Sequence, residues 1–410
     1  MSDRYQDLLK FLQAEGIPCS ACQPCDCGCQ CANSLQELSG DASLRRYYRL
    51  QVAEEVLHSL CEKNQSKRNY PFYSGSVIVV DAPPSSQKNK EFVAIDRILQ
   101  HSQVLVPGIL AADITNGFMI LEDLGNTLFY QNAVDDERLA FYYKACVTLT
   151  KIGMMPRSEE EAARLAKCRQ LAEAQNDSIK ANLINTYHLD QQDFAYLATL
   201  PPFDEAFIRM ELGIFSEWMV EKSLQLKLSA DEEAMLEQTW RFLVKGCQEQ
   251  AQVVMHRDLH GRNIMIAPDG CDSSILSKLA VIDFQDMVLG PVGYDVASLL
   301  YDCYDVLEDE YRERLLGLIY EVYSGCGVLV PEQVSLEDFK RQVLICALQR
   351  HIKVLGIFKR LSLRDGKDGY LKDLPRVLNY VLTNCDAFPE MAPFKAFLVK
   401  YVAPHLNVTP

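Results

Sequence analysis

The spacing of apolar positions changes near residue 125, and the change divides the chain into two regions of different character. Before that point short apolar runs alternate with turn residues. "MSDRYQDLLKFLQAEG" has the pattern of a charged amphipathic helix stopped by Gly16 and Pro18, and β-rich patterning begins in "ELSGDASLRRYYRLQVAEEVL". "SGSVIVVDAPP" contains a buried-strand core, Val77 to Val80, ended by Pro83 and Pro84, because proline cannot donate to a sheet ladder. "KEFVAIDRILQHS" repeats its apolar residues at helical spacing (Phe92, Ile95, Ile98, Leu99), and "VPGILAADITNGFMILEDLG" predicts two short strands around Asn116-Gly117.

After Gly125 the apolar residues follow helical periods. "DERLAFYYKACVTLTKIG" predicts one long helix. "SADEEAMLEQTWRFLVKGCQEQ" predicts another, opened by a capping box of Ser229 and Glu232. Within this region lies one β-hairpin, "NIMIAPDG" and "KLAVIDFQD", with its turn around Pro268-Asp269-Gly270. From about residue 293 the chain is again helical. The pattern predicts an α+β architecture: residues 1–35 as an N-terminal helix and cysteine-rich insertion, 36–123 as an antiparallel sheet lobe, and 124–410 as a larger helical lobe. A chain of 410 residues is long enough for two such lobes with a cleft between them.

Composition narrows the functional classes. Apolar residues make up 48% and charged residues 24%, which is globular usage. The formal charge of −15 argues against a surface built for nucleic acid or anionic lipid, both of which need clustered cations. No apolar run has the length of a membrane span, and the N-terminus lacks the pattern of a secretion signal, so the expected compartment is the cytoplasm. Of 15 cysteines, six fall between Cys19 and Cys31 in "CSACQPCDCGCQC". Two readings stand for that run: a thiolate cluster for a soft metal such as Cu(I) or Zn²⁺, or a tolerated insertion of reduced thiols.

The chemistry concentrates in "VVMHRDLHGRNIMI", residues 253–266. Asn263 precedes the first strand of the hairpin and Asp283 ends the second, so a hairpin brings them together as two oxygen ligands. A sparse oxygen pair suits Mg²⁺, which keeps waters and takes its remaining ligands from nucleotide phosphates. Asp258, on the same loop as Asn263, is then free to accept a proton from an attacking hydroxyl. His256 and His260 have too few nitrogen or sulfur donors around them in sequence for zinc, and both are expected to order the loop. Asp295, in "GYDVASLL", is expected to support the loop backbone.

"HRDLHGRN" followed by "IDFQD" resembles the H-x-D-x-H-x-x-N motif and metal-binding aspartate of aminoglycoside phosphotransferases, relatives of the protein kinases. Taken with "GDASLRRYYRL", "VVDAPP", "GFMILEDLG", "DFQDMVLGPVGYDVASLLYDCY" and "KVLGIFKRLSLRDGKDGYLKDLPRV", the chain is similar to bacterial anomeric kinases of N-acetylmuramate and N-acetylglucosamine. That resemblance implies a two-lobed protein-kinase-like fold, ATP and Mg²⁺ as cofactors, and phosphorylation of the C1 hydroxyl in peptidoglycan recycling. It implies Asp258 as catalytic base, Asn263 and Asp283 as metal ligands, and the backbone of Glu122, Asp123 and Leu124 as the hinge that holds adenine. There the side chains themselves are expected to matter little. Gly40, Asp41 and Ser43 resemble the phosphate-covering turn. Arg45 is the candidate phosphate-binding cation, because the strand that carries the kinase lysine reads "VIVVDAPP" here. One of Arg45 and Arg46 is expected to face away, since strand neighbours alternate.

Amino-sugar contacts are expected from Arg209 and Glu211 in "FIRMELGIFSEW" and from His351 and Lys353 in "QRHIKVLGIF". The stripe Phe207, Met210, Ile214 and Trp218 is expected to be core. Two other readings of function stay open at this level: transfer to an aminoglycoside, choline or another small alcohol, and a non-catalytic nucleotide-binding or metal-sensing protein.

Overall fold

A computed structural model of the chain describes residues 3–17, 35–38, 45–63, 75–129, 138–177, 181, 184, 187–267 and 279–408. The cysteine run from Cys19 to Cys31, the turn residues Gly40, Asp41 and Ser43, and the hairpin turn at 268–270 lie outside the described residues. The chain forms two compact units, one of Met1–Asn132 with Asn263–Asp286 and the other of Ala133–Arg262 with Met287–Pro410. No helix among the described residues is long and apolar enough to cross a membrane.

The first unit is built from α1 (Asp3–Ala14), β1 (Gln36–Leu38), β2 (Arg46–Gln51), α2 (Glu54–Lys63), β3 (Ser76–Asp81), α3 (Asn89–His101), β4 (Ile109–Asp113) and β5 (Phe118–Glu122). Its five strands pair antiparallel in the order β1-β2-β3-β5-β4. Paired residues share a face, so Tyr48, Val79 and Ile120 form one row and Tyr47, Val80 and Met119 the opposite one. Leu8, Leu9, Phe11 and Leu12 of α1 pack on the first face in one buried cluster with Tyr48, Leu50, Val77, Val79, Phe118 and Ile120. Each such side chain stabilises the unit by about 1.5–3 kcal/mol. The β4–β5 turn requires glycine at 117, where φ is +75° and a Cβ would sit 2.0 Å from the Ala82 carbonyl oxygen.

One element departs from expectation. The end of the stretch "ELSGDASLRRYYRLQVAEEVL", whose patterning is β-rich, instead opens the helix α2. Glu54 and Glu55 suit its N-terminal dipole, Lys63 suits its C-terminus, and Leu57 and Leu60 bury one face.

The second unit contains α4 (Arg138–Gly153), α5 (Glu159–Ala174), α6 (Gln191–Leu197), α7 (Glu205–Ile214), α8 (Ala230–Gln248), β6 (Gln252–Met255), β9 (Val288–Pro291), α9 (Gly293–Leu300), α10 (Asp309–Gly325), α11 (Leu336–Asp365) and α12 (Leu374–Cys385). The capping box of Ser229 and Glu232 opens α8, and a second box of Ser335 and Asp338 opens the 30-residue α11. Strands β6 and β9 pair antiparallel from Gln252↔Pro291 to Met255↔Val288 and present the catalytic-type loop at the end of β6.

The intervening hairpin, β7 (Ile264–Ile266) and β8 (Leu279–Val281), belongs to the first unit rather than to the helical region that surrounds it in sequence. Backbone bonds tie it there: Ile266 N–H donates to the Thr127 carbonyl at 2.9 Å and Val281 N–H to the Leu105 carbonyl at 2.8 Å. A linear division at residue 124 does not register these long-range pairings.

The stripe expected to be core on α7 is displaced by one residue. Ile208, Glu211, Leu212, Phe215 and Met219 are buried, while Met210 is 58% exposed. Both stripes have helical period, and the buried one tolerates a charged Glu211 because cations surround it.

Candidate active site

The loop after β6 is held mainly by its backbone. Asp295, at the start of α9, accepts hydrogen bonds from the backbone N–H groups of His256 (2.6 Å) and Arg257 (3.0 Å). Asp302 accepts from the Gly261 N–H at 2.7 Å and the Tyr304 N–H at 2.8 Å. Burial pushes these carboxyls up, Asp295 to about 7 and Asp302 to about 6, against the pull of those same N–H donors. Arg257 occupies the left-handed region at φ +77°, a backbone strain of the kind that concentrates at functional sites. The Asp258 N–H donates to His256 Nδ1 at 3.3 Å. His260 is buried against the Tyr304 ring, and burial lowers its imidazole to about 3, which keeps it neutral. The Arg262 guanidinium lies over two rings, Tyr304 at 4.7 Å and Tyr370 at 5.1 Å.

Beneath this loop α11 contributes a charged face. Arg350 Nη1 donates to Asp258 Oδ1 and to the Arg257 carbonyl, both at 2.9 Å. One helical turn on, Lys353 Nζ lies 3.1 Å from Glu211 Oε1 and 3.1 Å from the Tyr294 hydroxyl. Glu211 also receives Arg257 Nη2 at 3.1 Å and Gln349 Nε2 at 3.0 Å, so its buried charge is fully paired. Three cations therefore meet two carboxylates here. Burial raises the Asp258 carboxyl, but Lys353, Arg350 and Arg257 outweigh it and hold the group well below the ordinary aspartate range. Asp258 is thus a carboxylate throughout the neutral range, and a third of its side chain is exposed, at 34%.

In the first unit the hairpin brings Asn263 and Asp283 to neighbouring positions, with the Ile282 N–H bonded to the Asn263 carbonyl at 3.0 Å. Asp283 is exposed and lies at φ +62°, the left-handed region again. Gln285 Nε2 donates to its Oδ1 at 2.7 Å. Two hard oxygen donors on one short hairpin, one of them solvent-facing, form a donor set that fits Mg²⁺ and does not fit a soft ion.

The opposite sheet face connects this hairpin to Arg45. The Arg45 guanidinium lies 4.8 Å over the Phe92 ring, and Phe92 stacks on Phe284, the residue after Asp283, at 4.8 Å. Tyr47, next along that face, hydrogen-bonds Arg45 and lies close enough to Asp283 to feel its charge. Asp81 points the other way, to α1, where Arg4 Nε donates to it at 2.6 Å. The strand position corresponding to the kinase lysine is therefore turned away from the face carrying Arg45 and Asp283. Asp96 on α3 accepts from Gln100 within its own helix, and Lys88 pairs with Asp286 at 2.6 Å.

At the end of β5, Glu122, Asp123 and Leu124 are all buried. The Asp123 side chain is more engaged than a backbone hinge needs. It accepts Arg49 Nε at 2.6 Å and Nη2 at 2.9 Å, the Ser76 hydroxyl at 2.6 Å and the Gly125 N–H at 2.9 Å. Burial opposes ionisation of Asp123, yet these donors hold its pKa below the ordinary value.

Of the side chains expected to contact the acceptor, Glu211 and Lys353 join the network under the loop, and Arg209 and His351 have other partners. Arg209 bonds Glu205 at 2.6 Å and Glu237 at 2.9 Å on the surface of α7 and α8. His351 is fully buried, its Nε2 2.8 Å from the Tyr301 carbonyl and its ring stacked on Tyr380 at 5.1 Å. Burial lowers it to about 3, so it is a neutral core histidine. Sequence reasoning passed over Arg350. The available signal was its spacing: Arg350 and Lys353 stand three apart on one helical face, whereas His351 is turned about 100° away.

A kinase-like sheet unit, a helical unit carrying a His-Arg-Asp loop, and an asparagine and aspartate on a shared hairpin define an ATP-dependent phosphotransferase. The chain belongs to the phosphotransferase enzyme family, which it matches over residues 34–324. It is 30% identical to the N-acetylmuramate/N-acetylglucosamine kinase of Pseudomonas putida over 361 residues, 88% of this chain and 86% of the relative. It is equally 30% identical to the enzyme of the same name from Neisseria meningitidis, over 89% of each chain. Among solved structures, the choline kinase LicA from Streptococcus pneumoniae superposes with a TM-score of 0.51 at 12% identity, covering 93% of this chain and 100% of that one. An ADP-bound aminoglycoside phosphotransferase does so with a TM-score of 0.50 at 12% identity, covering 92% and 97%. These two likenesses are of fold.

Proposed function

We propose that the protein transfers the γ-phosphoryl group of ATP to the anomeric C1 hydroxyl of N-acetylmuramate or N-acetylglucosamine, in the cytoplasm, as a step of peptidoglycan recycling. The observation that carries this reading is the Asp258 carboxylate, kept ionised and partly exposed beside Arg350, in a chain 30% identical over most of its length to relatives with that named activity.

The step balances simply. The sugar hydroxyl gives its proton to Asp258 while its oxygen forms a bond to the γ-phosphorus, the bond from that phosphorus to the β,γ-bridging oxygen breaks, and ADP leaves with the bond electrons. A carboxylate held well below its usual pKa is a weak base. The anomeric hydroxyl suits it, because the ring oxygen makes that hydroxyl more acidic than an ordinary alcohol. Most of the rate then comes from positioning and charge neutralisation rather than from proton abstraction.

Asn263 and Asp283 would hold Mg²⁺, which when bound supplies charge neutralisation to the phosphates. Arg45, steadied by Phe92, faces the same side as Asp283 and takes the role of phosphate-binding cation, with Gly40, Asp41 and Ser43 as the covering turn. The backbone of Glu122 to Leu124 holds adenine. Glu211 and Lys353 shape the acceptor side through Arg257, and Asp295 and His256 order the loop.

Purified protein incubated with ATP, Mg²⁺ and separate acceptors tests the reading, with ADP release measured and the product's phosphate located by phosphorus–proton coupling in NMR. Release with N-acetylmuramate or N-acetylglucosamine and phosphate on C1 is the expected result. Turnover of an aminoglycoside or choline alone, or phosphate on C6, overturns it.

A further inference from the structure

Arg350 is the charged residue of α11 that bonds the loop after β6 directly. Its side chain is 4% exposed, yet one of its nitrogens, Nη1, is shared between two oxygens of the loop: Asp258 Oδ1 and the Arg257 carbonyl. Its Nε is buried and unpaired, and its guanidinium lies 6.0 Å from the Tyr294 ring centroid. The arginine is committed to the loop. Arg257 lies in the left-handed region, and a donor bonded both to its carbonyl and to Asp258 ties the side chain of one residue to the backbone of the preceding one.

We infer that Arg350 is a positioning residue for phosphoryl transfer: it clamps Asp258 Oδ1 to the loop backbone so that Oδ2 is the oxygen presented to the acceptor hydroxyl. The inference rests on the reading of Asp258 as the base. It assigns the amino-sugar reaction a residue that the loop motif does not contain, supplied by a helix about ninety residues later in the chain. A free aspartate on a loop samples several rotamers, and only those with an oxygen within about 3.2 Å of the hydroxyl are productive. The clamp selects one orientation before substrate arrives.

The groups around Asp258 indicate how the clamp is read out. Arg257 and His260 face it from the loop, Arg350 and Lys353 from α11, and Tyr294 and Asp295 from α9, with Glu211 of α7 behind Lys353. His260 is neutral, so the cations are Arg257, Arg350 and Lys353. Glu211 pairs with Arg257 and Lys353, while Arg350 bonds Asp258 directly. Removal of Arg350 therefore both unlocks the carboxylate and raises its proton affinity.

The test compares the parent with Arg350→Gln and Arg350→Lys, each checked for fold by circular dichroism, in steady-state kinetics from pH 5 to 9. For Arg350→Gln we expect kcat to fall about 10–100-fold, a loss typical of a misplaced catalytic group, with KM for ATP and for the amino sugar changed by less than about threefold. Its kcat profile should gain an acid limb absent from the parent, because activity is lost as falling pH protonates a carboxylate of higher pKa. Arg350→Lys keeps the charge but loses the planar fork, so it should keep the parent's flat acid side while kcat falls about 3–30-fold. If Arg350→Gln does not fold, Arg350→Lys decides: parent kcat in that variant overturns the clamp. An unchanged kcat in a folded Arg350→Gln, or a raised sugar KM with unchanged kcat, also overturns it. Absence of turnover in the parent with any acceptor fails the reading of function itself, a different result from an active parent indifferent to position 350.

Discussion

Replacing Arg49 with methionine tests whether the segment after β5 is held by a side chain rather than by its backbone alone. Arg49 and Asp123 form a bidentate pair with side chains 16% and 1% exposed, and Ser76 and Gly125 complete the acceptor capacity of the carboxylate. Arg49→Met removes two of the four hydrogen bonds to Asp123 and the guanidinium charge that opposes a buried anion. Breaking a buried pair costs about 3–5 kcal/mol. Two donors remain on Asp123, so we expect somewhat less than that range, about 2–4 kcal/mol. Asp123→Asn should cost less, about 1–2 kcal/mol, because Arg49 is partly solvated and keeps Asn126 Oδ1 at 2.9 Å and the Gly125 carbonyl at 3.2 Å. In the double variant the two losses should fall short of additive by about 1–2 kcal/mol. Differential scanning calorimetry should show the transition of Arg49→Met lowered by roughly 5–15 °C. The pH dependence has a definite sign. Asp123 is held below its unfolded value, so its contribution is complete above about pH 4 and is lost as pH falls through the lower folded value. In Arg49→Met that acid-side loss should begin at higher pH. A cost below about 0.5 kcal/mol for Arg49→Met, or a larger cost for Asp123→Asn, would refute the reasoning.

Asp295 carries the opposite sign: burial raises it to about 7, so the folded chain holds a proton that the unfolded chain has released, and stability from this group is lost as pH rises from about 4 through 7. Asp295→Asn should flatten that slope in urea titrations from pH 4.5 to 7.5 and cost about 1–3 kcal/mol, since one of two backbone N–H acceptors is lost; a parent slope of the other sign would contradict it. Arg209→Ala, which cuts surface pairs with Glu205 and Glu237, should leave the acceptor KM within about twofold. A tenfold rise in KM would place Arg209 in the acceptor site.

What the sequence made legible follows physical range. The strands at Val77–Val80 and around Asn116-Gly117 were readable because a proline pair and a turn dipeptide bound an apolar run locally, and Ser229 with Glu232 marked α8 in the same way. The helix α2 was missed because its ten residues carry only two fully buried positions beside a β-rich stretch. On α7, stripes one residue apart have equal period, and only the cations beneath Glu211 decide which is buried. The adjacent polar residues of α11 divide likewise: His351 goes to the core against Tyr301 and Tyr380, and Arg350 goes to Asp258. The pairing of Arg49 with Asp123 spans 74 positions, and neither residue signals the other in sequence. Motif spacing singled out the loop proposed to carry the chemistry; the supports of that loop come from helices far along the chain.

The most direct measurement is the turnover of Asp258→Asn beside the parent, with N-acetylmuramate or N-acetylglucosamine as acceptor and ATP binding followed separately by nucleotide fluorescence. Asparagine keeps the shape and cannot take the proton, so the account predicts a kcat at least about 100-fold lower with nucleotide affinity within about threefold. Turnover at the parent's rate would contradict it.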